Sequence, residues 1–189
     1  MNRLHRYFCR SPKYQEKLEH GLMPWVLGAV DLGDELLEIG PGPGLTTELL
    51  RARTTHLTAV EIDSVLASAV ASKFPDVEVV NADATELPLP DGRFSAAVSL
   101  TMLHHVPSVE LQDRLLGEVH RVLRPGGVFV GSDSRVSLLF RLAHLFDTMV
   151  VVDPETLPAR LERAGFDEIK VDAVPRAFRF RARKPYARV

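Results

Sequence analysis

Apolar positions along the chain fall into two alternating patterns. Short runs rich in aliphatic and β-branched residues at 35–39, 57–62, 77–82, 94–100 and 128–131 predict strands, while 45–53, 64–74 and 108–123 carry apolar residues at helical spacing. This alternation predicts an α/β fold: a mostly parallel sheet with helices on both faces, its strands short and apolar because they are covered twice. In 108–123, Ser108 follows Pro107 as a candidate N-cap, and Leu111, Leu115, Val119 and Val122 share one face that should be core. Turn residues punctuate the pattern. Pro88, Pro90, Asp91 and Gly92 break the chain before the fourth run, and Arg124-Pro125-Gly126-Gly127 breaks it before the fifth. Residues 154–165 predict a further helix closed by Gly165, and 169–174 with 178–182 predict a final antiparallel pair at the sheet edge.

Composition narrows the class. A chain of 189 residues, 46% hydrophobic and 25% charged, fits one soluble domain with a sizeable core. No repeat, low-complexity segment or linker divides it. The formal net charge of −2 gives no overall attraction to DNA or to an anionic membrane surface. Cys9 is the single cysteine, so no internal disulfide is expected and a reducing, cytoplasmic compartment is the natural setting. The basic N-terminus lacks the apolar core of a signal peptide, and the apolar region 136–152 is interrupted by Arg141, His144 and Asp147, so no membrane insertion is expected.

The first strand run leads directly into Gly40-Pro41-Gly42-Pro43-Gly44, ahead of a helical pattern. In a parallel sheet, ligands bind beyond the carboxyl ends of the strands, and a glycine turn opening a helix lets them approach main-chain N–H groups and the helix's positive end. A dinucleotide fingerprint would need glycine at the sixth position from Gly40, where Leu45 stands, so the fit to a nicotinamide cofactor fails there. Glu61 ends the second run about 20 residues later, where a carboxylate accepts from ribose hydroxyls in such sheets. The other role for an acid in this stretch is to stabilise a helix N-terminus, which suits Asp63 better. Asp83, at the end of the third run, is either a turn former or an acceptor for an adenine amine, with Ala84 offering its backbone N–H.

Taken together and in order, EIGPGPG, AVEID, NADATELPLPDGRFSAAVSLTMLHHV and RVLRPGG resemble the class I S-adenosylmethionine-dependent methyltransferases, of the small-molecule, type 11-like group. The resemblance covers about 36–131, with a late helix at 154–165. It implies a Rossmann-like, doubly wound, seven-stranded sheet whose last strand is antiparallel, and S-adenosylmethionine as cofactor, leaving as S-adenosylhomocysteine. It implies Glu38 near the cofactor's amino group, Gly40, Gly42 and Gly44 along its methionine and ribose portions, and Glu61 on the ribose hydroxyls. Ile62 would pack on adenine, Asp83 and Ala84 would read the adenine edge, and Leu100 would line the methionine end.

Methyl transfer from a sulfonium needs alignment and water exclusion, with a base only where the acceptor must lose a proton. The candidate bases are His104 and His105; the plainer reading is that one of them packs and hydrogen-bonds locally. No cysteine or carboxylate cluster completes a metal site with them. The expected organisation is a single domain over 1–189, with an N-terminal helical cap at 1–30, a cofactor-binding core at 35–133 and a candidate acceptor-pocket insertion at 134–152. The cap contains Tyr7, Phe8, Tyr14 and Trp25, and either folds over the cofactor or covers the sheet. The insertion suggests a pocket wall or a dimer contact, so monomer and homodimer stay open. On the tail, Arg179, Arg181 and Arg183 alternate with Phe178, Phe180 and Ala182; a solvated edge strand protected by charge is favoured over an anion or RNA site. The expected acceptor is a small molecule. The contrasting reading is a catalytically silent module that keeps the cofactor pocket as a regulator or assembly partner.

Overall fold

The computed structural model describes residues 12–28, 30–135 and 149–187. Its centre is β1 (Glu35–Ile39), whose Leu36, Leu37 and Ile39 are almost fully buried because β2 (His56–Glu61) and β4 (Phe94–Leu100) flank it in parallel and helices cover both faces. With β3 (Glu78–Asn81), β5 (Leu123–Ser134), β6 (Asp167–Val174) and β7 (Ala177–Arg183), the sheet has seven strands in the order β3-β2-β1-β4-β5-β7-β6. β7 runs antiparallel to both its neighbours. This is the doubly wound α/β arrangement expected from the sequence, with its reversal of strand order at β1 and β4.

The helices are α1 (Pro12–Lys17), α2 (Met23–Leu27), α3 (Leu45–Leu50), α4 (Ser64–Lys73), α5 (Val109–Val122) and α6 (Leu157–Arg163). On one face of the sheet, Met23, Val26 and Leu27 of α2 join Leu50 of α3 and Val70 of α4 over Leu36, Val98 and Val130. On the other, Leu115, Leu116, Val119 and Val122 of α5 and Leu157 and Leu161 of α6 pack over Leu37, Ala97, Phe129, Phe178 and Phe180. The Ser108 side chain accepts from the Leu111 amide, the cap expected at the start of α5. Asp63 caps α4 by accepting from the Val65 and Leu66 amides.

Two details differ from the sequence reading. The Arg124–Gly127 turn does not separate α5 from the fifth strand: β5 begins at Leu123, paired with Phe94, and the ladder shifts before Ala96 meets Val128. Backbone bonds explain this, because Gly126 donates to the Lys184 carbonyl and Lys184 donates back to Gly127, so the turn is absorbed as a bulge beside the end of β7. The arginine strand is also not an edge: β7 lies between β5 and β6, and β6 is the edge. Phe178, Phe180 and Ala182 fill the α5–α6 core as the alternation required, while Arg179 bonds Asp172 and Arg183 bonds Glu168 across to β6.

Trp25 belongs to the sheet cover. The Arg179 guanidinium stacks 5.5 Å above its ring and donates to its carbonyl oxygen. Cys9, Tyr7, Phe8 and the side chain of Tyr14 lie outside the described residues, as does 136–148 of the proposed insertion. Among the described residues no helix is long and apolar enough to cross a membrane.

Candidate active site

The glycine turn leaves the end of β1 beside the ends of β2 and β4. Gly40, Gly42 and Gly44 all have left-handed backbone, φ 69, 54 and 81°, a region that costs an L-residue roughly 1–2 kcal/mol. Two of them face protein: a side chain on Gly40 would run into Met102, and one on Gly44 would press on Phe74 at 3.0 Å. Gly42 faces open space, with nothing within 4 Å of an added Cβ. It is therefore the position at which the turn leaves room for another molecule. α3 behind it is a single short helix prolonged by a 3₁₀ turn at Arg51–Arg53, so the turn's own amides matter more here than a long helix dipole.

Glu61 ties this turn to the tip of β2. Its Oε2 accepts from the Gly42 amide at 3.0 Å and its Oε1 from the Asp63 amide at 3.0 Å, which leaves lone pairs on both oxygens. The Asn81 side chain holds the same tip from β3 by donating to the carbonyls of Glu61 (2.7 Å) and Ile62 (3.1 Å). Ile62 follows with 68% of its surface exposed, an apolar platform beside the carboxylate. Asp83 takes the turn-forming role, accepting from the Thr85 amide at 2.8 Å; it is exposed, and Ala84 next to it is half-buried.

Glu38 sits below the turn at 2% exposure and receives the hydroxyls of Thr46 and, at 2.6 Å, Thr47. Burial raises its pKa to about 7; the two threonine hydroxyls pull it back, and the neighbouring Glu61 carboxylate pushes it further up.

At the tip of β4, Leu100 is buried in the same apolar cluster as Val26 and Leu27. The residues after it come nearer the turn: Met102 lies against Gly40, and Thr101 has φ 53°, an uncommon conformation for a β-branched residue. His104 follows in a 3₁₀ turn, 2% exposed. Its Nδ1 lies 2.5 Å from Oδ1 of Asp133, and its amide donates to Oδ2 at 3.0 Å. Asp133, at the end of β5, is wholly buried. Gln112 of α5 donates to the carbonyls of Leu103 and Val150 and so fastens the same turn from beneath. His105 is half-buried, its ring centroid 4.1 Å from that of His104.

The structure thus gathers Glu38, Gly40, Gly42, Gly44, Glu61 and Ile62 around one turn, with Asp83 and Ala84 beyond the neighbouring β3 tip. Asn81, Thr101, Met102 and Asp133 were not singled out from the sequence. Asn81 and Asp133 stand in strand-tip stretches, NADA and GSDS, where polar residues interrupt apolar runs. Among the described residues no group of three or more histidine, cysteine, aspartate or glutamate side chains is placed to hold a metal ion.

A doubly wound sheet with a glycine turn, an acid at the next strand tip and an antiparallel β7 defines a nucleoside-binding α/β architecture. The chain matches the family described as "Methyltransferase domain" over residues 37–131 and belongs to that family. A probable S-adenosylmethionine-dependent methyltransferase of Mycolicibacterium smegmatis is 31% identical over 100 residues, 53% of this chain and 38% of that protein. The ribosomal RNA small subunit methyltransferase A of Geobacter metallireducens is 43% identical over 61 residues, 31% of this chain and 22% of its own. The matched regions are well under half of either relative. A solved structure of a SAM dependent methyltransferase from Archaeoglobus fulgidus has a TM-score of 0.75 at 20% identity, covering 95% of this chain and 97% of that one.

Proposed function

We propose that this protein is an S-adenosylmethionine-dependent methyltransferase that acts on a small-molecule acceptor. The observation that carries the reading is the Glu61 carboxylate bonded to the Gly42 amide, at the one glycine of the turn that faces open space. The residues fit the cofactor by their chemistry: acceptor oxygens for ribose hydroxyls at Glu61, an exposed apolar platform at Ile62, backbone amides at 83–84, and a buried carboxylate at Glu38 for a cationic centre. When bound, this cofactor supplies a methyl group on a positively charged sulfur. The chain's own work is then positional. Gly42 leaves space, Glu61 fixes the turn and orients the nucleoside portion, and Met102 closes the turn on the β4 side.

His104 is too deeply buried to meet an acceptor directly, and its bonds to Asp133 make it a brace for the turn after β4. Where the acceptor must lose a proton, half-buried His105 is the better placed imidazole. A small acceptor suits a formal net charge of −2 better than ribosomal RNA, whose phosphates would call for a broad basic surface. The cytoplasm, as the compartment suited to a single cysteine, and a monomeric or homodimeric state belong to the same proposal.

Calorimetric titration with S-adenosylmethionine and S-adenosylhomocysteine, with NAD and NADP as controls, tests this reading. Saturable binding of the sulfur compounds alone supports it, and release of S-adenosylhomocysteine with a metabolite extract separates an enzyme from a silent module. Glu61→Gln places an N–H donor against the Gly42 or Asp63 amide and removes the charge. It should weaken S-adenosylhomocysteine roughly 10- to 100-fold, the range for loss of a hydrogen bond to a charged group. Unchanged affinity would remove Glu61 from the site.

Gly42 gives an independent check. Gly42→Val places a branched side chain in open space, so the fold should lose only about 1–2 kcal/mol, from backbone strain. Binding of S-adenosylhomocysteine should fall more than about 100-fold if that space holds the cofactor. Normal binding by a folded Gly42→Val protein would place the cofactor elsewhere.

A further inference from the structure

We propose a second binding site, for a small carboxylate or phosphate, at the amino-terminal end of the parallel strands, opposite the glycine turn. A cleft of about 400 Å³ opens there, between the chain leading into β1 and the carboxyl end of β7; Val30, Asp31, Ser95, Val128, Arg181 and Arg183 contribute to its walls. The volume lies within the range of small-molecule sites.

Arg181 is the residue that gives the cleft its chemistry. The three arginines of β7 share one strand face, but they are served differently. Arg179 has Asp172 of β6 at 2.9 Å, and Arg183 has Glu168 of β6 at 3.0 Å and the Gly126 carbonyl as well. Opposite Arg181 the ladder places Lys170. Arg181 is half-buried and its backbone is paired in the ladder, but its guanidinium has no hydrogen-bond or ion-pair partner among the described residues.

A guanidinium carries five N–H donors in a planar fork matched to carboxylate and phosphate oxygens. Facing a lysine across the strands, it adds like-charge repulsion to that unmet demand. An anion against Arg181 answers both. Val30 and Val128 offer apolar contact to the remainder of such a ligand. Asp31 on the same wall, whose Oδ1 accepts from the Gly33 amide, adds a second requirement: an acid there disfavours a bare anion and favours a ligand that also carries a hydroxyl or an amine. The site is separate from the cofactor turn and does not depend on methyl transfer.

The probes are inorganic phosphate, glycerol 3-phosphate and malate, titrated at constant ionic strength against sodium chloride, because phosphate stabilises any folded protein weakly through exclusion from its surface. In wild-type protein the Arg181 Nε–H resonance should shift saturably with at least one of these probes, while that of Arg183, already donated to Glu168, should move little. Arg181→Met keeps the aliphatic stem and removes the fork; it should weaken the best probe at least about tenfold. Glu61→Ala, in the cofactor turn, should bind that probe as wild type does. Should Arg181→Met fail to fold, the wild-type resonance decides alone. A phosphate response without a malate response identifies the phosphate class, and the reverse identifies the carboxylate class. No saturable shift with any probe, an unchanged affinity in Arg181→Met, or binding of an oligouridylate without binding of the three small anions would overturn the proposal.

Discussion

Replacing Asp133 by alanine is expected to be the most damaging single change in the described part of the molecule, costing about 3–5 kcal/mol of stability. The carboxylate accepts from the His104 amide and the Ser134 amide and meets the His104 ring, all in a position with no solvent. Alanine would leave a buried imidazole and a buried amide without their acceptor, and desolvated groups that lose a partner cost more than the bond was worth. Asp133→Asn keeps one oxygen and should lose about half as much, while turning an N–H toward either the ring or the amide. Urea denaturation of the two variants checks the order. The same measurement with His104→Phe, which leaves the buried Asp133 carboxylate with only its two backbone amide donors, should also show a loss above about 1 kcal/mol. If Asp133→Ala loses under about 1 kcal/mol, the dyad is not what holds the turn after β4.

That dyad also shows where sequence reading stops. His104 is visible as a candidate base because it follows a strand run, yet its role depends on a residue 29 positions later on the next strand. Local features are legible for local reasons. The Ser108 and Asp63 caps, the buried face of α5 and the three glycines each rest on interactions within a few residues, and the order of strands and helices follows from periodicity. Cross-strand pairing has no such signature. The alternation of Arg179, Arg181 and Arg183 with Phe178 and Phe180 correctly separates two faces, but it reads the same in an edge strand as in an inner one. Only the ladder puts β7 inside and distributes Asp172, Lys170 and Glu168 against the arginines. Likewise, Arg124-Pro125-Gly126-Gly127 has strong turn chemistry. Whether it ends an element or bulges within one is decided by Lys184, nearly sixty residues away.

The second large effect concerns pH and Glu38. Burial lifts this carboxyl from the 4.5 expected in an unfolded chain to about 7 in the folded protein, despite the opposing pull of Thr46 and Thr47. Between those values the folded state binds a proton that the unfolded state has released. Stability from this group is therefore fully present below about pH 4.5 and is lost as pH rises through about 7. The total loss is about 3 kcal/mol, because each pH unit separating the two values is worth about 1.4 kcal/mol. Denaturant midpoints of wild type should fall between pH 5 and pH 8 relative to Glu38→Gln, which carries no titrating group there and should show the flatter profile. Parallel profiles would mean that Glu38 is ionised in the native protein across that range. Under the proposed function the same group links pH to cofactor affinity with the opposite sign. A cationic centre brought close to Glu38 favours its ionised form, so binding expels the proton. Below pH 7 affinity for S-adenosylmethionine should then rise with pH, by up to about tenfold per unit, and level off above it. Titrations in two buffers of different ionisation enthalpy at pH 6.5 should report release of up to roughly three quarters of a proton per cofactor in wild type and little in Glu38→Gln. Measurable release that survives the substitution would assign the proton to another group.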